Sequence, residues 1–370
     1  MFPFISLYII IFLLSVIEQH QHNITKKKRV GIIGLSLVFL FIGLRSKNVG
    51  TDTQTYVNFF HDSNFFYNGG KTDLGFEYIG RFLHLFGNST EYFIFFSSAI
   101  MCFGLFFLIY KYSRNVNFAL LLFCLVGTSS INLFLYMSMV RQACALTFFF
   151  VSMYYLFEFG KSKWKVVAVF YIMAILTHGS ILFTVPFVFI LWKYNPSKNI
   201  WIAAIVATYI ISALGIVNIG DILNLVFSYV GDYTSRDYSG YADITFGQIE
   251  QKGFFNMNIL PFSILGVALC LLSKKENLCC WYVKFFLMSI LLNNIFSDNL
   301  MWARLILPFS IFVILAVPYL TSSLNKKYII PFYTVFFGYY IYKTLSQLFF
   351  MASPLATGNI VVPYETWLFK

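Results

Sequence analysis

KVVAVFYIMAILTHGSILFTVPFVFILWK, running from Lys165 to Lys193, decides the fold. Read as one helix it crosses a bilayer once. Read as two segments turning at His178–Gly179 it returns to the side it came from, and every later segment changes sides with it. A crossing takes ~20 apolar residues, so each half is short and length alone does not choose. The choice comes from charge. The run Lys26–Arg29 is KKKR, and basic residues in short loops hold to the cytoplasmic side of a membrane protein. With the turn at His178, that side collects Lys26, Lys27, Lys28, Arg29, Lys111, Arg114, Lys161, Lys163, Lys165, Lys193, Lys198, Lys274, Lys275, Lys326 and Lys327, which is 15 basic residues. The other side keeps nine: Arg45, Lys47, Lys71, Arg81, Arg141, Arg236, Lys252, Arg304 and Lys370. Without the turn the bias nearly vanishes and short basic loops face outward. The turn is therefore preferred, as a tilted pair or a re-entrant hairpin lining a cavity.

Working outward from that stretch, the rest of the chain reads as membrane. Of 370 residues 59% are hydrophobic and only 11% charged. A soluble domain of this size has too little interior for that much apolar surface, whereas lipid accepts it. The expected fold is an all-α polytopic membrane protein, a single integral domain over 1–370 with about 12 segments, range roughly 10–13. Segments are expected at 2–17, 30–44, 91–110, 116–135, 142–158, 166–177, 180–192, 199–217, 256–273, 280–296, 305–320 and 328–350. Met1 to Ile17 lacks a basic start and a small-residue cleavage site, and reads as a first span. Both termini come out external.

The net charge of +11 belongs to helix orientation and not to nucleic acid. Six cysteines lie in or beside apolar runs without ligand spacing and read as packing residues. No metal-ligand spacing, phosphate-binding glycine loop or nucleophile elbow occurs, so neither a metal nor a cofactor is expected.

Two external loops are large, about 45–90 and 218–255. The first holds an interfacial helix, with Ile79, Phe82, Leu83 and Phe86 on one face and Asp73, Glu77 and Arg81 on another. The second contains GDYTSRDYSGY, whose Tyr and Asp suit a sugar-handling surface or an aromatic belt.

The polar residues that stand out collect on the external face. Arg45 opens RSKNVGTDTQTY, where Gly50 permits a tight turn whose amides, with Thr51 and Thr53, would cradle a phosphate. Asp52 would accept a proton or orient Arg45. The plainer reading is a helix-end anchor with Asp52 as a cap. Arg141–Gln142 begins the fifth segment. An Arg at that depth is costly unless paired or facing water, and its planar fork suits a diphosphate; snorkelling to the headgroups is the alternative. His178, between Thr177 and Gly179, would take a proton from an attacking hydroxyl or hydrogen-bond a phosphate oxygen, or simply pack. Arg304, in SDNLMWARLILPF, repeats the pattern of an arginine at an external helix end, and Arg236 joins from the Tyr-rich loop. Together they suit an anionic, lipid-linked substrate.

Three stretches carry a resemblance. GLRSKNVGTDTQTYVNFF (Gly43–Phe60), SMVRQACALTFFF (Ser138–Phe150) and ILTHGSILFTVPF (Ile175–Phe187) resemble, in order, spacing and placement between segments, the EpsG-type family of O-antigen and exopolysaccharide polymerases. The resemblance covers most of the chain and is strongest over 40–190. It implies a Wzy-type polymerase of the bacterial inner membrane, similar to other helical lipid-dependent glycosyltransferases. Such a protein transfers a growing glycan from undecaprenyl diphosphate to the next lipid-linked repeat unit on the periplasmic side, as in lipopolysaccharide biosynthesis. The implied partners are that oligosaccharide as donor and acceptor, membrane lipid and a chain-length regulator. The implied roles are donor diphosphate for Arg141 and Arg45, acceptor diphosphate for Arg304, and proton handling for His178 or Asp52. Gln142, Thr51, Thr53 and Arg236 are expected to line the substrate.

A flippase of lipid-linked oligosaccharides is the competing class. It would carry charged groups along a pathway and often inverted repeats, whereas here the polar groups gather at one face. A glycan O-acyltransferase would need a route for an acyl donor, for which the short Lys-rich loops offer little.

Overall fold

The computed structural model describes residues 1–61, 73–127, 131–215, 255–256, 259–296, 300–322, 324–353 and 361–369. Among them the regular elements are helices, and one isolated antiparallel bridge joins Arg45 to Thr366. The chain is an all-α polytopic membrane protein. The helices are α1 (Phe2–His20), α2 (Ile24–Gly43), α3 (Thr53–His61), α4 (Leu74–His84), α5 (Thr90–Tyr112), α6 (Val116–Leu125), α7 (Asn132–Ser138), α8 (Val140–Phe159), α9 (Trp164–Thr177), α10 (Val185–Lys193), α11 (Lys198–Ala213), α12 (Leu260–Leu272), α13 (Trp281–Phe296), α14 (Leu300–Ser310), α15 (Val313–Thr321) and α16 (Lys326–Met351).

Local chemistry sets many of the starts. Asn23 accepts from the amides of Thr25 and Lys26, Ser89 from Tyr92, and Asn115 from Phe118, each satisfying an amide that has no partner within its helix. Proline stands in the first turn of α1, α10 and α12, where its missing N–H costs nothing. Two segments expected as single spans are divided. The stretch 116–135 falls into α6 and α7. The stretch 305–320 breaks between α14 and α15, just after Pro308, which cannot donate within the helix. Helix α3 lies inside the loop 45–90, directly after Asp52 and ahead of the helix α4 in the same loop.

The turn at His178 is present. Helices α8 and α9 reverse at Gly160, whose φ of 55° favours glycine. They then run antiparallel, with Phe149 beside Tyr171 and Ser152 Oγ donating to the Val167 carbonyl at 2.9 Å. After α9 the backbone of His178 is extended (φ −154°, ψ 110°), and a 3₁₀ stretch Gly179–Thr184 leads into α10. Lys284, at the start of α13, donates to the Leu191 carbonyl at the far end of α10 and lies over the ring of Phe157 near the end of α8. So the end of α10 and the end of α8 share one side of the bundle, and His178 turns at the other.

The basic loops share that first side. The buried Glu18 near the end of α1 accepts from the amides of Val116 (2.8 Å) and Asn117 (2.9 Å) at the start of α6. Tyr112, ending α5, donates to Glu158 at 2.5 Å, and Lys198 donates to the Leu271 carbonyl at 2.6 Å. This side therefore carries Lys26–Arg29 in the first turns of α2, Lys111 and Lys193 in the last turns of α5 and α10, and Lys161 and Lys274 in the connections. The opposite side receives the ends of α2 and α9 and the starts of α5 and α8.

Aromatic side chains do more than line the bilayer edge. Phe285 packs edge-on against Trp281 and Phe312 and tilted against Phe309, and Phe157 stacks on Trp281. Such ring pairs hold helices together where surrounding lipid offers no hydrophobic drive. Cys102, Cys124, Cys144 and Cys270 are buried free thiols, as expected of packing residues.

Candidate functional site

Three chain segments meet at the end of the bundle opposite the basic loops. Helix α8 starts after a kink at Met139 (φ −94°, ψ 61°) and places Arg141 in its first turn. The extended break after α9 places His178. Helix α4 begins after Asp73, which occupies the cap position without capping, its side chain turned elsewhere. Asp73 Oδ2 lies 3.4 Å from Arg141 Nη1 and 3.4 Å from His178 Nδ1. The side chains of Arg141, Asp73 and His178 are 19%, 12% and 10% exposed, so the cluster is largely enclosed yet reachable. A close approach holds it together. Gly75 packs on the last turn of α9, and a β-carbon there would stand 2.6 Å from the Thr177 amide nitrogen. Asp73 thereby sits over the His178–Gly179 turn.

Arg141 is only partly satisfied by Asp73. Its Nε is buried and has no hydrogen-bond partner among the described residues. A buried guanidinium N–H without an acceptor is costly, and here it adjoins a partly open surface. The arrangement suits a small oxyanion sharing the guanidinium with Asp73. Gln142 is buried next to it.

The carboxylate that joins Arg141 to His178 is Asp73, which the sequence places on the polar face of an interfacial helix rather than among the candidate site residues. In the structure α4 buries Phe76, Gly80 and Leu83, leaves Tyr78 and Phe82 exposed along with Leu85 and Phe86 just after it, and pairs Glu77 with Arg81. The expected apolar face is thus rotated. The sequence signal at Asp73 is that of an ordinary helix cap, and nothing in the spacing points to a partner 105 positions away.

The other expected residues are placed differently. Arg45 is fully enclosed, at 0% exposure, which removes it from the surface role expected of it. Its Nη1 donates to the Ile42 carbonyl (2.6 Å) and to Ser98 Oγ (2.9 Å), and burial pushes the guanidinium down to about 10. It ties the end of α2 to α5. The phosphate cradle expected around Gly50 does not form. Gly50 has φ 95°, and a β-carbon there would come to 2.1 Å from the Met137 carbonyl. Thr53 Oγ1 donates to the carbonyls of Val49 (2.9 Å) and Met137 (3.1 Å). The turn is packed against a carbonyl oxygen, which repels an anion, and its one glycine permits that packing. Thr51 is exposed. Asp52 stands at the entry of α3, its carbonyl accepting the first helical amide, from Tyr56, at 3.1 Å. That is the helix-cap position, and among the described residues no ion pair joins Asp52 to Arg141 or His178. Arg304 lies within α14. Arg236 and nearly all of the loop 218–255 lie outside the described residues.

The segment 361–369 braces the loop after α2. Ser46 N donates to the Glu365 carbonyl at 2.8 Å, Asn48 Nδ2 to the Glu365 carboxylate at 3.1 Å, and Tyr364 Oη to the Phe41 carbonyl at 2.7 Å. No group of three or more metal-ligating side chains occurs among the described residues.

A family model, the EpsG family, matches residues 28–366, nearly the whole chain and all of the elements that build this cluster. No curated protein matches the chain, and no solved structure does.

Proposed function

The chain belongs to the EpsG family of polysaccharide polymerases, and from that premise we propose that it joins lipid-linked repeat units at the Asp73–Arg141–His178 cluster. The donor in this reading is a glycan on undecaprenyl diphosphate, the acceptor is the next lipid-linked unit, and the working face is the periplasmic side of the bacterial inner membrane. The observation that carries it is Asp73 Oδ2 held 3.4 Å from both Arg141 and His178 at the end of the bundle away from the basic loops.

The chemistry follows from the residue types. An acceptor hydroxyl oxygen attacks the anomeric carbon of the donor sugar, and the bond from that carbon to the diphosphate oxygen breaks. The hydroxyl proton passes to His178, and the bonding pair leaves on the diphosphate. Arg141 stabilises that leaving charge, which is larger in the transition state than in the bound donor. Ionised Asp73 only accepts hydrogen bonds, so it holds the proton of His178 on Nδ1 and leaves Nε2 as the base. The same carboxylate fixes the Arg141 guanidinium. A donor already activated as a lipid diphosphate needs no nucleotide, in keeping with a sequence that carries no nucleotide-binding motif.

The test is replacement of Arg141 by Ala in the full chain, with membrane insertion checked and the surface polysaccharide run on a gel. The expected result is loss of the polymer ladder while single repeat units are retained. Full-length polymer in the variant would overturn the assignment. Loss of every repeat unit would instead indicate lipid-linked oligosaccharide transport.

A further inference from the structure

An apolar groove of about 580 Å³ runs along the bundle from the cluster, between α4, α5, α8 and α9. Tyr78 and Phe82 of α4, Ile100 and Phe103 of α5, Phe148 of α8 and Leu176 of α9 form its walls. Among the described residues no charged side chain lines it. Its two threonines are turned to the backbone: Thr147 Oγ1 donates to the Ile100 carbonyl at 2.6 Å, and Thr177 Oγ1 to the Met173 carbonyl at 2.7 Å. Their methyl groups are what remain for an occupant. Tyr78, Phe82, Phe103 and Leu176 are all exposed at its open side, which faces outward from the bundle.

Its position specifies the occupant further. One end is formed by Gly75 and Thr177, two residues after Asp73 and one before His178. Thr147 lies six residues along α8 from Arg141, roughly 9 Å at the helical rise. The groove thus begins beside the guanidinium whose Nε has no acceptor among the described residues. An apolar channel with one cationic end suits a molecule with an anionic head and a long apolar tail. Its volume lies within the ~300–1,000 Å³ usual for ligand pockets, enough for the first part of a long chain, with the remainder in lipid.

We propose that this groove seats the head-proximal isoprenoid units of the donor's polyprenyl chain, with the diphosphate at Arg141. The inference rests on the lipid-diphosphate reading above. Seating the chain places the leaving group beside Arg141 and His178 before the acceptor arrives, so binding remote from the reacting atoms contributes to their alignment.

The experiment measures binding of undecaprenyl diphosphate, geranyl diphosphate and undecaprenol to the full chain in detergent. Wild type is expected to prefer undecaprenyl diphosphate over geranyl diphosphate by at least about tenfold, which corresponds to ~1.4 kcal/mol. Ala99→Trp, which fills the groove from α5, is expected to bring the two diphosphates to equal affinity. Arg141→Ala is expected to weaken both diphosphates and leave undecaprenol unchanged. An Ala99→Trp protein that keeps the chain-length preference overturns the groove. A wild type that binds undecaprenol as well as its diphosphate overturns the lipid-diphosphate reading instead. A second measurement stands independently of how Ala99→Trp folds. A photoreactive benzoylphenylalanine in place of Phe103 should crosslink to undecaprenyl diphosphate in vesicles of phosphatidylglycerol. Crosslinks to phosphatidylglycerol alone would mean a general lipid surface and would sink the proposal.

Discussion

Gly75 and Thr177 touch so closely that a β-carbon on Gly75 would stand 2.6 Å from the Thr177 amide nitrogen. This contact between the start of α4 and the end of α9 sets where Asp73 lies relative to His178. The first expectation concerns it. Gly75→Ala forces the two backbones apart and lowers stability by about 1–3 kcal/mol, as overpacking does. Polymer output should fall by more than protein accumulation does, because Asp73 moves away from both partners. The check is a thermal melt in detergent beside a gel of surface polysaccharide normalised to protein. Equal falls in the two would remove the link between this contact and the chemistry.

If Asp73 acts by holding His178, the two residues form one unit. His178→Ala should cut turnover about 10²–10⁴-fold, the range for a positioned general base. Asp73→Asn should cut it less, since the imidazole remains. The double variant should lose well short of the product of the two single losses, because effects within a unit do not multiply, and any loss beyond His178→Ala alone comes from the Asp73 contact to Arg141. Initial rates on a lipid-linked repeat unit measure this, and multiplicative losses would show that the residues act independently.

Arg45 and Arg141 should behave differently when truncated. Arg45→Ala leaves a hole and unpairs Ser98 Oγ and the Ile42 carbonyl, a change in the range of about 2–5 kcal/mol for emptied buried sites. It should reduce the amount of inserted protein. Arg141→Ala should insert normally and fail to polymerise. Quantifying membrane-inserted protein for each variant separates them, and normal Arg45→Ala levels with lost polymer would return Arg45 to the reaction.

At the basic end, Glu18 brings a carboxylate to the first amides of α6 and also accepts from Asn117 Nδ2 at 2.6 Å. Its negative charge complements the positive end of that helix dipole. Glu18→Gln should lower stability by up to ~2 kcal/mol, the upper range for such a charge in a buried setting. Polymerisation at permissive temperature should be unaffected, since the contact lies at the other end of the bundle from the cluster. A melt reads the first expectation and the gel reads the second.

The parts of the site that were legible in sequence are those with a local signature. Arg141 stood out because a guanidinium inside an apolar run is costly anywhere, and His178 because Thr, Gly and Ser interrupt an otherwise apolar stretch. Arg45 had the same local signature as Arg141, yet one is enclosed between α2 and α5 and the other faces a carboxylate. Sequence does not distinguish them, since burial depends on which helices pack against each. The turn at Gly50 misled for a related reason. Glycine permits the tight turn whether its amides face a ligand or its backbone presses on Met137 O.

Returning to Lys165–Lys193, the sequence by itself determined the membrane class, the reversal at His178 and the gathering of basic residues at one end. These rest on composition, residue-by-residue hydropathy and charge counts, which need no knowledge of neighbours. Only the tertiary structure decided that Asp73, 105 positions before His178, is its carboxylate and also that of Arg141. It likewise decided that an apolar groove leads away from them. Contacts between segments so far apart are set by how α4, α8 and α9 pack, and Gly75, Thr147 and Thr177 act there through the space they leave, which no linear pattern records.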